Sequence, residues 1–237
     1  MRAIILAGGR GTRLAPYTTV FPKPLVPVGD RPILDIVLRQ LAANGFDDIS
    51  LAVGHLAELI EAYCGDGSRY GISITYSRED APLGTAGPIA LVEPPLETFL
   101  VMNGDLLTAV DFPDMLATHR ADKAIATVAT IQRDVRIDLG VVDVDASEHV
   151  IGYREKPVFT FAASTGIYFL EPAVLDYIPR GQRLDLPDLV LQLAAGGQVV
   201  RRYASDAYWL DIGRPDDYAE AIRVFEADPG RFIPSSG

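Results

Sequence analysis

The chain predicts an α/β fold: a mostly parallel sheet with helices on both faces, formed as a single domain of 237 residues. Three observations carry that expectation. Short apolar runs alternate with amphipathic stretches of helical period, the pattern of repeated strand-helix-strand units. The first run, Arg2–Ala7, is continuously apolar from Ala3 onward, as in a strand covered on both faces. No interior repeat or shift of composition divides the chain, and its length lies within what one sheet can organise.

Taken in order, the first strand runs directly into glycines, so it ends in a loop. Residues 31–44 read as a helix: Ile33, Leu34, Val37, Leu38 and Leu41 share one face, Pro32 stands near the start, and Gly45 follows the end, where a left-handed cap costs least. Asp48–Val53 is the next strand, and 55–64 the next helix, with Leu56, Leu59, Ile60 and Tyr63 at helical spacing before Gly65. Residues 72–77, 98–103, 124–131 and 164–170 continue as strands, with helices over 85–92 and 112–120. Residues 140–144 and Val150–Arg154 suggest a short hairpin, and Leu186–Ala195 and Pro215–Ala227 close the fold as helices. Residues 228–237, rich in Pro, Gly and Ser, are expected to form a loosely held tail.

Composition removes several classes of function. Twenty-one Lys and Arg against 32 Asp and Glu leave a net charge of −11, which repels a phosphate backbone, and no basic cluster offsets it, so nucleic acid is not an expected partner. The single cysteine, Cys64, excludes an intrachain disulfide and a multi-cysteine metal site and reads as a core residue. His55, His119 and His149 lack the spacing of a zinc site and read as structural or surface residues. Tyr168, Phe169, Trp209 and Tyr218 lie in apolar patterns and read as core. The opening apolar run is too short for a signal-peptide core, and no stretch approaches the roughly 18 apolar residues of a membrane span. A cytoplasmic protein with no membrane partner is the expectation.

The chemistry begins at Gly8-Gly9-Arg10-Gly11-Thr12-Arg13-Leu14, where glycines let backbone N–H groups approach an anion and Arg13 adds charge. This phosphate cradle departs from the P-loop, because no Gly-Lys-Ser/Thr follows, and from the dinucleotide fingerprint, because Leu14 holds the third glycine position. Lys23, between Pro22 and Pro24, sits on a stiff loop that could aim its ammonium at the same phosphates, although taken alone it reads first as a solvated surface lysine. Asp105 immediately follows an apolar strand, at the carboxyl edge where open α/β sheets bind ligands, and Asp211 has a similar setting after Tyr208-Trp209-Leu210. Two such carboxylates facing a polyphosphate suit a hard cation, with turn or cap aspartates as the alternative. Glu155-Lys156-Pro157 sets an acceptor beside a cation on a stiffened turn, which suits a phosphosugar but by itself reads as a surface ion pair of little energetic worth.

AGGRGTRL at 7–14, followed by FPKPLVPVGDRPI at 21–33, resembles the signature of the sugar-1-phosphate nucleotidyltransferases, or nucleotide-sugar pyrophosphorylases. The likeness continues through PLGTAGP at 82–88, NGD at 103–105, EKP at 155–157, GIYFL at 166–170 and WLDIGRPDDY at 209–218, in the family's order. It implies the Rossmann-like nucleotide-diphospho-sugar transferase fold. It also implies a nucleotide site built from Gly8, Gly9, Gly11, Thr12, Arg13, Gly84 and Thr85, with Arg13 and Lys23 acting on the phosphates. Asp105 and Asp211 take the metal role, for Mg²⁺ or for Mn²⁺ in its place. Glu155 and Lys156 become sugar-phosphate contacts. Gly140 resembles the glycine at which backbone approaches the sugar ring, with a simple turn as the alternative. Ser164 and Thr165 precede Gly166 where the family often has an asparagine for the sugar, so the sugar itself is left open.

Glu79, five residues before Gly84, resembles the position that reads the nucleobase edge. A carboxylate only accepts, and guanine offers two adjacent donors, whereas uracil and thymine offer one N–H flanked by acceptors. PLGTAGP also resembles the mannose-1-phosphate guanylyltransferases more than the uridylyl or thymidylyl branches. The first expectation is therefore transfer from GTP to mannose 1-phosphate with release of pyrophosphate. Uridylyl, thymidylyl or cytidylyl transfer to a glucose, N-acetylmuramate or heptose type of sugar is the alternative, as is a non-catalytic nucleotide-sugar-binding subunit. A monomer or homodimer is expected.

Overall fold

Strand β1 (Arg2–Ala7) is the centre of the architecture, because its side chains alternate between two cores. Ala3, Ile5 and Ala7 join one apolar cluster and Ile4 the other, so neither face of the strand meets water. The computed structural model describes residues 1–9, 11–14, 17–79 and 81–233. A short hairpin of β2 (Pro27–Val28) and β3 (Arg31–Pro32) leads into α1 (Ile33–Ala43), whose buried face follows the expected spacing. β4 (Asp48–Val53), α2 (Ala57–Cys64) and β5 (Ser73–Arg78) come next, then β6 (Phe99–Asn103), β7 (Leu106–Thr108) and α3 (Phe112–Ala121). The Asp111 carboxylate caps α3 by accepting the Asp114 N–H at 2.9 Å.

The second half contains β8 (Ala126–Arg136), β9 (Val141–Val144), β10 (Val150–Arg154), β11 (Val158–Leu170), α4 (Leu186–Ala195), β12 (Val200–Ala204), β13 (Trp209–Asp211) and α5 (Pro215–Ala227). The seven-stranded sheet has the order β12-β8-β11-β6-β1-β4-β5. It is mostly parallel; β11 alone opposes both of its neighbours, β6 and β8. Helices α1, α2, α3 and α5 cover one face, and α4 the other. Among the described residues no helix is long and apolar enough to cross a membrane.

Three local expectations are corrected. The helix expected over 85–92 is only a 3-10 turn, Gly87–Leu91, because the Ala86 and Gly87 N–H groups are both drawn to the Leu184 carbonyl, at 2.8 and 3.1 Å, and Pro88 has no N–H to give. Strands expected at 124–131 and 164–170 are longer, since β8 and β11 pair as far as Val158 opposite Arg136. That outer ribbon lacks apolar alternation because both of its faces are largely exposed. The tail expected from Asp228 is held as far as Ile233: the Arg231 N–H donates to the Asp228 carboxylate at 3.2 Å, and Phe232 is fully buried. The Phe232 ring meets Tyr208 edge-on at 5.7 Å and lies 6.1 Å from Phe225. Residues 234–237 lie outside the described residues.

Removal of that anchor should be costly. Phe232→Ala is expected to lower stability by about 3 kcal/mol, read as a fall in the urea midpoint at unchanged slope. A loss under about 1 kcal/mol would show the segment to be dispensable.

Candidate active site

The chain leaves β1 for β4 on one side and later returns to β6 on the other, so the carboxyl end of β1 is a topological switch point. A cleft of about 490 Å³ opens there, lined by residues that follow β1, β4, β5 and β6. Close backbone approach forms its floor. A Cβ on Gly8 would lie 2.6 Å from Glu79 Oε1, and one on Gly54 would lie 3.0 Å from the Gly8 carbonyl oxygen. Gly11 has φ +61°, and a Cβ there would stand 2.9 Å from Lys23 Cβ. The glycine loop is thus pressed against the lysine that follows it, and the Thr18 hydroxyl fastens it by donating to the Gly11 carbonyl at 2.8 Å. Arg10 lies outside the described residues.

Lys23 opens a 3-10 turn, Lys23–Leu25, between Pro22 and Pro24, and is only 8% exposed. Its Nζ donates to Asp105 Oδ2 and, at 3.2 Å, to Asp211 Oδ1. The two carboxylates meet because β7 and β13 pair antiparallel with Asp211 opposite Leu106, and the Ile212 N–H donates to the Asp105 carbonyl at 3.3 Å. Trp209 anchors β13 by donating its indole N–H to the Thr165 carbonyl at 2.8 Å. Arg13 completes this corner: a Cβ on Gly213 would lie 3.8 Å from Arg13 Cζ and 3.5 Å from Asp211 Oδ2.

Burial pushes the Asp105 carboxyl above the ordinary aspartate range; the Lys23 ammonium opposes this, and the Asp211 charge adds to it. Asp105 Oδ1 is buried with no hydrogen-bond partner. An orphaned carboxylate oxygen, with a second carboxylate beside it and open cleft above, fits a divalent cation that takes its remaining ligands from phosphate and water. Among the described residues no group of three or more His, Cys, Asp or Glu forms a self-sufficient metal cage.

Glu79, Gly84 and Thr85 also line the cleft. Glu79 Oε2 accepts the Leu83 N–H at 2.8 Å, and burial raises its carboxyl against the lowering effect of that bond. The Thr85 hydroxyl is committed elsewhere, accepting the Leu186 N–H at 2.7 Å. Thr12 is exposed, in the 3-10 turn Thr12–Leu14.

Gly140, Glu155, Lys156 and Ser164 are not among the residues lining this cleft. Glu155 and Lys156 are exposed at the turn between β10 and β11, and Lys156 adopts the left-handed region at φ +44°. A side chain at Gly140 would run into the Tyr153 hydroxyl. Ser164 Oγ lies 3.0 Å from the Tyr168 hydroxyl, where the pairing of β11 with β8 breaks register. Asn103, quoted above only as part of the NGD motif, and His55, read above as a structural or surface residue, also line the cleft. Their position at or just after the carboxyl ends of β6 and β4 was the available signal. His119, by contrast, is a buried structural histidine between Thr127 Oγ1 at 2.8 Å and Glu171 Oε1 at 3.0 Å.

The model of the nucleotidyl transferase family matches residues 2–227. A UTP–glucose-1-phosphate uridylyltransferase of Synechocystis sp. is 39% identical over 94% of this chain and 63% of its own length. A mannose-1-phosphate guanylyltransferase of Mycobacterium tuberculosis is 35% identical over 96% of this chain and 66% of its own length. The chain thus spans just under two thirds of these curated relatives. A solved structure described as a putative glucose-1-phosphate thymidylyltransferase from Bacillus anthracis, in complex with a sucrose, superposes with a TM-score of 0.76 at 27% identity, covering 94% of each chain. With the family's pattern running along nearly all of its length over the same sheet, this chain belongs to the nucleotidyl transferase family.

Proposed function

We propose that the protein transfers a nucleotidyl group from a nucleoside triphosphate to a sugar 1-phosphate, releasing pyrophosphate and forming a nucleoside diphosphate sugar. The observation that carries this reading is Lys23 held between Asp105 and Asp211 against the glycine loop, at the switch-point cleft. The glycine loop offers backbone N–H groups to the triphosphate, and Arg13 and Lys23 offset the repulsion between the two anionic reactants. A divalent cation on Asp105 and Asp211, Mg²⁺ or Mn²⁺, would supply charge neutralisation at the α-phosphate. Glu155, Lys156, Gly140 and Ser164 are assigned to the sugar phosphate. The attacking phosphate oxygen is anionic at neutral pH, so the reaction needs in-line positioning and electrostatic stabilisation rather than a general base or a covalent intermediate.

GTP with mannose 1-phosphate is the first choice of substrates. Glu79 supports it, because Oε1 and the second lone pair of Oε2 can accept the paired N1–H and N2–H of guanine. The guanylyltransferase relative supports it as well. UTP with glucose 1-phosphate is the second reading, favoured by the 39% identity to the uridylyltransferase.

Pyrophosphate release across GTP, UTP, dTTP, CTP and ATP, each against a panel of sugar 1-phosphates, tests the proposal; a wild-type protein silent with every pair refutes it. Asp105→Asn should lower turnover at least about 100-fold while the circular dichroism and melting profile stay native; near-normal turnover would remove Asp105 from the chemistry. Glu79→Gln should lower kcat/KM for GTP by about 10- to 100-fold, the worth of a charge-assisted hydrogen bond, and reduce the preference for GTP over ITP, which lacks the second donor. An unchanged GTP to ITP ratio would exclude Glu79 as the reader of guanine.

A further inference from the structure

The cleft wall that carries Gly84 and Thr85 is fastened from outside by a segment 100 residues further along the chain. Asp185 occupies the N-cap position of α4, yet its carboxylate does not cap that helix; Oδ1 accepts the Thr85 N–H at 3.1 Å. In exchange the Thr85 hydroxyl oxygen accepts the Leu186 N–H, one of the first donors of α4, at 2.7 Å. Backbone bonds extend the clasp: the Leu184 N–H donates to the Leu83 carbonyl at 2.9 Å, and the Leu184 carbonyl accepts from Ala86 and Gly87. The two segments touch so closely that a Cβ on Gly84, at φ +78°, would lie 2.6 Å from both Asp185 Oδ1 and the Leu184 carbonyl oxygen. On its other side Leu83 gives its N–H to Glu79. Leu83 therefore joins the clasp to the carboxylate assigned to the base.

We propose that Asp185 is a positioning residue for the nucleobase end of the site. It holds Thr85 in place from behind the wall, two residues from Leu83, which its chain neighbour Leu184 holds; by steadying this shared clasp it sets the orientation of Glu79, so that it tunes nucleotide affinity and base selection without touching the nucleotide. This rests on the nucleotidyl-transfer reading. Asp185→Ala removes the acceptor but leaves the Thr85 cap on α4, so the helix has a reason to persist. Asp185→Asn keeps an acceptor oxygen at Oδ1.

The test combines amide hydrogen exchange of residues 83–87 with steady-state kinetics on the two variants and the wild type. Asp185→Ala should speed exchange at these amides about 10-fold or more, raise KM for the preferred triphosphate about 10-fold, leave kcat within about twofold, and narrow the preference over the next-best base. Asp185→Asn should restore the exchange rate, KM and base preference. A variant Asp185→Ala with wild-type KM and base preference would overturn the proposal even if exchange quickens, and so would an Asp185→Asn that behaves like the alanine variant. Should the wild type turn over no pair, the nucleotidyl-transfer reading fails separately; exchange, with calorimetric binding of GTP and UTP, then decides on Asp185, and unchanged binding in Asp185→Ala overturns its role.

Discussion

An ammonium wedged between two carboxylates at the end of an apolar sheet is an expensive arrangement, because all three groups give up water. The side chains of Lys23, Asp105 and Asp211 are 9%, 21% and 39% exposed, so desolvation is most severe at the lysine and least at Asp211. Hydrophobic groups of the same volume would serve stability as well or better. What the arrangement secures is placement, and much of the surrounding structure enforces it. Two prolines stiffen the Lys23 turn, Gly11 presses on the lysine stem, and the β7–β13 pair holds the two aspartates together although they are far apart in sequence. Asp105 Oδ1, left without a partner, is the part of this cluster that still has binding capacity.

The two ends of the candidate site are built differently. The wall running from Glu79 to Gly87 is a lattice of hydrogen bonds: Glu79 to Leu83, Leu83 to Leu184, Thr85 to both Asp185 and Leu186. Every bond in it is made within the chain, so the wall is held by its own backbone and side chains. The region assigned to the sugar phosphate lies on the ribbon of β9, β10 and β11, where Tyr153, Val158 and Phe161 are exposed and the turn at Lys156 adopts a strained backbone.

Much of the fold was legible in the sequence because the deciding interactions are local or periodic. The apolar run of β1, the face of α1 with its flanking Pro32 and Gly45, and the bounds of α4 and α5 all follow from spacing that a helix or a doubly covered strand requires. The helix expected at 85–92 failed because a distant carbonyl, that of Leu184, competes successfully for its N–H groups. Likewise Pro, Gly and Ser composition signalled a loose tail, whereas the single buried ring of Phe232 holds it down as far as Ile233.

For the site, sequence alone determined which chemical groups are present and in what order: the glycine loop, a lysine between prolines, and acidic residues at strand ends. Their spacing along the chain says what each can do, since turn stiffness, charge and donor inventory are properties of a few neighbouring residues. Only the tertiary structure decided which of them meet. The approach of Asp105 to Asp211 depends on two short strands too brief to have a period, and the clasp of Asp185 on Thr85 joins residues 100 positions apart. Such contacts arise when packing of the whole sheet closes long loops, and no local pattern encodes the outcome of that closure.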